Sequence, residues 1–421
     1  MRALTRIRSS SAIWVAPVVL LLMLAYYLTD IQDDLRLDPL GYAPTVIDAV
    51  LRNLTPVAYA VAAALGAWEA RKLGKSDLWQ WGAVRSRYTI AAHSLVPVVV
   101  LAWLILVLPT LCGLVQKRTP PDAAGIGLVA FAMLLCAAHA VIGFAWGVGV
   151  RHIAAVPVIA VVDFLFVGWS VALTLPWPRH LTGLLSGKLM FGELPTVSSF
   201  AAPLLIALGL CTAVVLLWSG PRRPWLRSAL AAAVAMGGVG GAYTLVKDWS
   251  YVAPRSMGHG PVSCAGEKPR ICLPSARAGA LPALSEDVDS TLKVLRAAEI
   301  EARPATITDS FTAIRYPEPS TATAWHIPLA PGTARYQVAR AAVRFTCEDP
   351  ATGLARQAYY WVSVKVGEGD TYLWRLAAEP DFTARSRDAL RTRVDEVLGM
   401  SVRDQTGWFR RTVAAACERA A

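Results

Sequence analysis

The sequence predicts an all-α polytopic membrane protein of about seven transmembrane helices, followed by a small, mainly α soluble domain with a few short strands. Three observations carry this expectation. The chain has 421 residues, 55% hydrophobic and only 17% charged, whereas soluble globular chains average about 45–50% apolar and about 25% charged. The excess is confined to residues 1–247, where apolar blocks alternate with short charged loops, while 248–421 has an ordinary composition. The charge divides at the same place: residues 1–247 hold 19 Lys+Arg against 10 Asp+Glu, and residues 248–421 hold 22 against 20. A formal net charge of +11 would suit nucleic-acid binding in a soluble chain. Here cationic loops flanking a membrane account for it, and no nucleic-acid partner is expected.

A span needs about 20 mostly apolar residues. Seven stretches qualify: 13–29, 47–68, 90–114, 124–148, 153–175, 199–218 and 228–246. The second is the weakest, because Asp48 and Arg52 limit its start. The first reads as an uncleaved span, since Tyr26-Tyr27-Leu28-Thr29 has no small-residue cleavage site. Loop charges set the orientation by the positive-inside rule. Arg2, Arg6 and Arg8 precede the first span. Arg71, Lys72, Lys75, Arg85 and Arg87 follow the second, Arg151 the fourth, and Arg222, Arg223 and Arg227 the sixth. The alternate loops are acidic or mixed. An inside N-terminus and seven crossings then put residues 248–421 outside the membrane.

The cysteines agree with that placement. Cys112, Cys136 and Cys211 lie in or beside spans, where cysteine serves as a small apolar residue. Cys264, Cys272, Cys347 and Cys417 lie in the C-terminal part, and an even number suits an oxidising location. The expected pairs are Cys264–Cys272 and Cys347–Cys417. Zinc would need a CxxC spacing or paired histidines nearby, so no metal is expected.

Beyond a linker at about 248–261 with strand-like pieces, apolar spacing predicts a helix over 285–301. Ser285, Asp287 and Asp289 suit its start. Residues 302–334 read as irregular or as short strands. Further helices are expected at 334–346, 353–366, 384–398 and 402–419. The aromatics Tyr359, Tyr360, Trp361 and Trp374 read as core rather than as a ligand platform.

Few catalytic motifs survive inspection. There is no HExxH and no GxSxG. Leu73-Gly74-Lys75-Ser76 is the nearest approach to a phosphate loop, but Glu69 stands where the first glycine is required. No ATPase, no other enzyme and no cofactor is expected in this chain. Asp163 is the one carboxylate deep within a span, which makes it a candidate for cation binding or proton relay; His139 on the preceding span is its possible partner, and a purely structural pairing is the alternative. Gly143-x-x-x-Gly147 and Gly237-x-x-x-Gly241 suggest close helix contacts.

The loop after the second span holds Glu69, Arg71, Gly74, Leu78, Trp79, Trp81, Arg85 and Arg87. It is amphipathic and basic, which suits a solvated loop, an interfacial helix or a docking surface. It resembles the corresponding loop in permease subunits of ABC-type exporters of the type-two class, with Glu69, Gly74, Leu78 and Arg85 at the matching places. The resemblance covers roughly residues 1–220. It implies a bacterial cytoplasmic membrane, a separate ATPase subunit touching residues 69–88, surrounding lipid and a possible homodimer. The chain departs from the six spans of that family through its seventh span and added domain. The stretch from Cys264 to Pro274 resembles the start of an extracytoplasmic domain in uncharacterised bacterial proteins of this permease-like kind. The expected function is a membrane-spanning subunit moving a substrate with a partner ATPase. The alternative is a membrane-anchored sensor, immunity or assembly factor working through its extracytoplasmic domain.

Overall fold

The computed structural model describes residues 10–36, 40–75, 86–150, 152–185, 187–219, 224–313 and 320–418. The chain forms two compact units, Met1–His259 and Gly260–Ala421. Among the described residues, seven helices are long and apolar enough to cross a membrane. We name them α1 (Ser11–Leu35), α2 (Ala43–Lys75), α3 (Arg87–Gln116), α4 (Ala123–Gly149), α5 (Ala155–Trp169), α6 (Val197–Trp218) and α7 (Pro224–Val246).

These helices alternate in direction. Ser11 at the start of α1 bonds Glu69 near the end of α2. Arg71 reaches the carbonyl of Ile153 just before α5. Tyr88 at the start of α3 donates to the carbonyl of Val215 near the end of α6. These groups define one end of the bundle, the Glu69 end. At the opposite end Tyr27 of α1 donates to Gln116 of α3. Large apolar side chains cover the outer faces, Leu21, Leu22, Val115, Leu208 and Met236 among them. Exposed Trp14, Trp68 and Trp225 gather toward the Glu69 end and Trp169 toward the other, as the interfacial belts of a membrane protein do.

The least apolar of the seven, α2, is the most enclosed, with 78% of its spanning window buried. It starts at Ala43, four residues before the expected start, and runs unbroken for 33 residues. At 1.5 Å per residue it is about 50 Å long, well beyond a hydrocarbon core of about 30 Å. Asp48 does not end the helix, because its carboxylate has a partner inside the protein.

The tightest seam joins α2 to α4. A Cβ on Gly143 would run into the Ala63 carbonyl, one on Gly147 into that of Ala67, and one on Gly66 into that of Ala140. The two backbones therefore touch directly, without side chains between them. A second close approach joins α6 to α7 at Gly209 and Gly238, where the added Cβ of Gly209 would lie 3.1 Å from the Gly238 Cα. The expected pair was Gly237 and Gly241, but a Cβ on Gly237 would meet nothing within 4 Å. A glycine spacing fixes a face, and here the neighbouring face is the one that packs.

The second unit holds a four-stranded sheet in the order β3-β4-β5-β6. Its strands are β3 (Val262–Ala265), β4 (Arg270–Pro274), β5 (Thr306–Asp309) and β6 (Ala324–Ile327). The first pair is antiparallel and the other two pairs are parallel. Around the sheet pack α8 (Leu281–Ala297), α9 (Ala334–Ala342), α10 (Thr352–Lys365), α11 (Gly369–Leu376), α12 (Ala384–Leu398) and α13 (Val402–Glu418). Ile271, Leu273, Val288, Leu295, Ile307, Trp325, Trp361 and Val394 share one apolar core. Helix α8 starts four residues before the expected Ser285. A hairpin, β3–β4, stands where the sequence suggests a turn-rich stretch, and the eight-residue α11 has no counterpart among the expected helices.

Residues 248–259 stay with the first unit. There a two-residue ladder pairs β1 (Leu194–Pro195) with β2 (Arg255–Ser256). In the second unit both expected cysteine pairs stand at bonding distance, Cys264–Cys272 across the hairpin and Cys347–Cys417 over 70 residues.

Two outcomes follow. Gly143→Ala and Gly147→Ala each force the α2–α4 seam apart, at a cost of about 1–3 kcal/mol. The thermal midpoint of the purified protein in detergent falls for both, whereas Gly127→Ala, which meets nothing within 4 Å, does not lower it. Loop-closure entropy assigns about 4 kcal/mol to the 70-residue link and between 2 and 3, roughly, to the eight-residue one. Denaturant unfolding of the second unit therefore responds more to Cys347→Ser with Cys417→Ser than to Cys264→Ser with Cys272→Ser.

Candidate functional site

The loop expected to meet a partner begins on the last turns of α2. Glu69 is buried, and its Oε1 accepts the Ser11 backbone N–H at 2.7 Å and the Ser11 hydroxyl at 2.6 Å. Lys72 sits at 3.1 Å from its Oε2. A carboxylate at the start of α1 satisfies an orphan N–H and faces the positive end of that helix. Arg71, half-buried, ties the segment before α5 to the same place. Gly74 is exposed with open space around it. Arg87 is exposed at the start of α3, which Ser86 caps by accepting the Thr89 N–H. Leu78 and Arg85, with Trp79 and Trp81, lie outside the described residues. Glu69 and Arg71 thus gather the starts of α1 and α5 around the end of α2.

Asp163 and His139 meet. The Nδ1 of His139 on α4 lies 2.9 Å from the Asp163 carboxylate on α5. The ring of Tyr59 on α2 stacks on His139, with centroids 4.3 Å apart. The Tyr59 hydroxyl is buried without a hydrogen-bond partner among the described residues. Three helices therefore share one polar cluster at mid-depth. Its hydrogen bond offsets part of the cost of burying a carboxyl group. Proton storage and plain structural pairing are both open to an Asp–His pair of this kind.

At the far end of the bundle lies a polar network that was missed. Asp48 is 1% exposed and accepts the Leu189 N–H at 2.9 Å. Asp34 pairs with Arg52 at 2.9 Å and with Lys188 at 3.0 Å. Glu193 pairs with Arg255 at 2.7 Å, and Arg255 also donates to the carbonyls of Gly187 and Lys188. Residues 187–195 are thereby strapped across the ends of α1 and α2. In the sequence, Asp48 and Arg52 mark only a limit on the start of the second span. Acidic loop residues facing Lys188 and Arg255 were the available signal, but pairing over more than 140 residues has no local pattern.

Beside the strap, the segment 173–182 is fastened to residues 249–251. His180 donates through Nε2 to the Ser250 carbonyl at 2.8 Å, Arg179 lies 4.7 Å over the Tyr251 ring, and Tyr251 donates to the Thr174 carbonyl. Burial lowers the His180 pKa, and neighbouring Arg179 adds to this, while the Ser250 bond opposes it. Among the described residues, no group of three or more His, Cys, Asp or Glu side chains could hold a metal ion.

The sign of the His180 effect is fixed. The folded state disfavours the protonated ring, so the loosened state binds more protons as pH falls through the ordinary histidine value of about 6.5. Stability of this fastening is complete above that pH and declines below it. Hydrogen exchange at residues 173–181 and 249–252 should be faster at pH 5.5 than at pH 7.5, after correction for intrinsic rates. His180→Gln should remove that difference.

No family model, no curated protein and no solved structure matches the chain.

Proposed function

We propose that this chain is the membrane-spanning subunit of a transport system whose ATPase is a separate chain docking on residues 69–88. The observation that carries this reading is the double anchorage of α2. One unbroken helix, enclosed by its neighbours, holds the starts of α1 and α5 at the Glu69 end. At its other end it holds the strap at 187–195. A displacement delivered to the Glu69 end moves three helices together, and a stiff rod carries it to the strap. A subunit that converts work done at one membrane face into access at the other needs such an element. The type-two exporter resemblance of Glu69, Gly74, Leu78 and Arg85 supplies the kind of partner.

In this reading the basic Glu69 end faces the bacterial cytoplasm and the second unit lies outside, where its disulfides persist. The His139–Asp163 pair then sits within the translocating body, and a homodimer completes the permease. Co-purification from native membranes tests it. An ATPase subunit should accompany the chain, and Arg85→Glu with Arg87→Glu should weaken the association about tenfold or more. A chain that purifies alone, with no ATPase stimulated by its presence in vesicles, would sink the proposal.

A second reading makes the protein a membrane-anchored sensor, immunity or assembly factor. It is favoured by the arginine-lined cleft of the second unit described below. Residues 250–421 carried by an unrelated single span would then restore the phenotype of a deletion strain; under the transport reading they would not.

A further inference from the structure

The second unit contains a cleft of ≈ 760 Å³ between α9, α10 and α11, a size common for small-molecule sites. Three arginines, one from each helix, converge on it: Arg340, Arg356 and Arg375. Arg356 is taken by Glu379 at 2.6 Å. Arg340 and Arg375 have no carboxylate at ion-pair distance among the described residues. Their guanidinium groups lie on aromatic faces instead, Arg340 at 4.7 Å from the Tyr359 ring centre and Arg375 at 4.6 Å from that of Tyr336. Burial raises the pKa of the Tyr372 phenol beside them.

Two cationic groups lining one cleft favour an anion that joins them. Cation–π stacking orients both groups, and Arg340 spends one N–H on the Tyr336 hydroxyl at 3.4 Å, a small part of the five donors a guanidinium carries. A pre-oriented planar fork is the arrangement that receives a phosphate or carboxylate in bidentate fashion. At the lip stands Trp374, 75% exposed. It had been expected in the core with Tyr360 and Trp361, which are indeed buried. A large ring left in water beside two unpaired arginines is a stacking surface for a flat ligand face.

We propose that this cleft binds an organic anion: a phosphate or carboxylate held by Arg340 and Arg375, with a ring or sugar face stacked on Trp374. The inference does not rest on the transport reading, because it uses the second unit alone.

The test is calorimetric titration of the full chain in zwitterionic nanodiscs with phenyl phosphate, inorganic phosphate and uncharged phenyl glucoside. Phenyl phosphate should bind saturably and at least about tenfold more tightly than the glucoside. Arg340→Gln and Arg375→Gln should each weaken it about tenfold or more. Trp374→Ala should weaken phenyl phosphate but not inorganic phosphate. Arg385→Gln, on an exposed arginine outside the cleft, should change nothing. Arg340, Trp374 and Arg375 are exposed, and an unchanged thermal midpoint shows that their variants fold. Saturable heat that survives the Arg340→Gln, Arg375→Gln double variant, or no saturable heat with either anion, would overturn the proposal. Repeating the titration with phosphatidylglycerol in the disc separates two sources of the anion. Competition assigns the cleft to a lipid head group and its absence to a solute, and both support an anion site.

Discussion

A polar group on a helix inside a bilayer must find its partner within the protein, and α2 carries more such groups than any other span. Its solutions organise the first unit. Asp48 takes a backbone N–H from the strap, Arg52 takes Asp34, Thr55 bonds back to Leu51, and Glu69 takes the start of α1. Hydrocarbon could satisfy none of these groups, and inside the protein each has a partner. The helix is therefore central because it is the least apolar. Its neighbours are there to shield it, and small residues along α4 let them come close enough to do so.

The second unit solves a different problem. Its core is built from a sheet of short strands and from six helices, most of them with one apolar face. Its cysteines close one short loop and one long one. The two units share a chain but not a stabilising principle. In the first, surface is turned outward to lipid and polarity inward. In the second, aromatic and aliphatic side chains are turned inward, and charge is spread over the outside, with one concentration of arginine.

Much of this was legible in the sequence, for reasons of period and length. Runs of about 20 apolar residues admit one interpretation, so all seven helices were foreseen. Amphipathic spacing located α9, α10, α12 and α13 within a few residues. Nearness in the chain made Cys264–Cys272 an obvious pair, and depth in adjacent spans did the same for His139 and Asp163. What stayed hidden was long-range or too short to have a period. The partners of Asp48 and Asp34 lie 141 and 154 residues away. Helix α11 has eight residues, and the exposure of Trp374 depends on how α9 and α10 pack beside it. The three cleft arginines are unremarkable in sequence, since each sits alone on its own helix.

The strap also dictates an order of events during synthesis. When α1 and α2 enter the bilayer, Asp34 and Arg52 emerge 18 residues apart and can pair at once. Asp48 cannot, for Leu189 has not yet been made. The hairpin must therefore wait, with one carboxyl group uncompensated, until three more spans and a loop have followed it. A chain stopped anywhere between α2 and Leu189 holds that helix in a setting it is poorly suited to. The strap thus ties the setting of α2 to chain made well after it, since Asp48 gains its backbone partner only once Leu189 has been added.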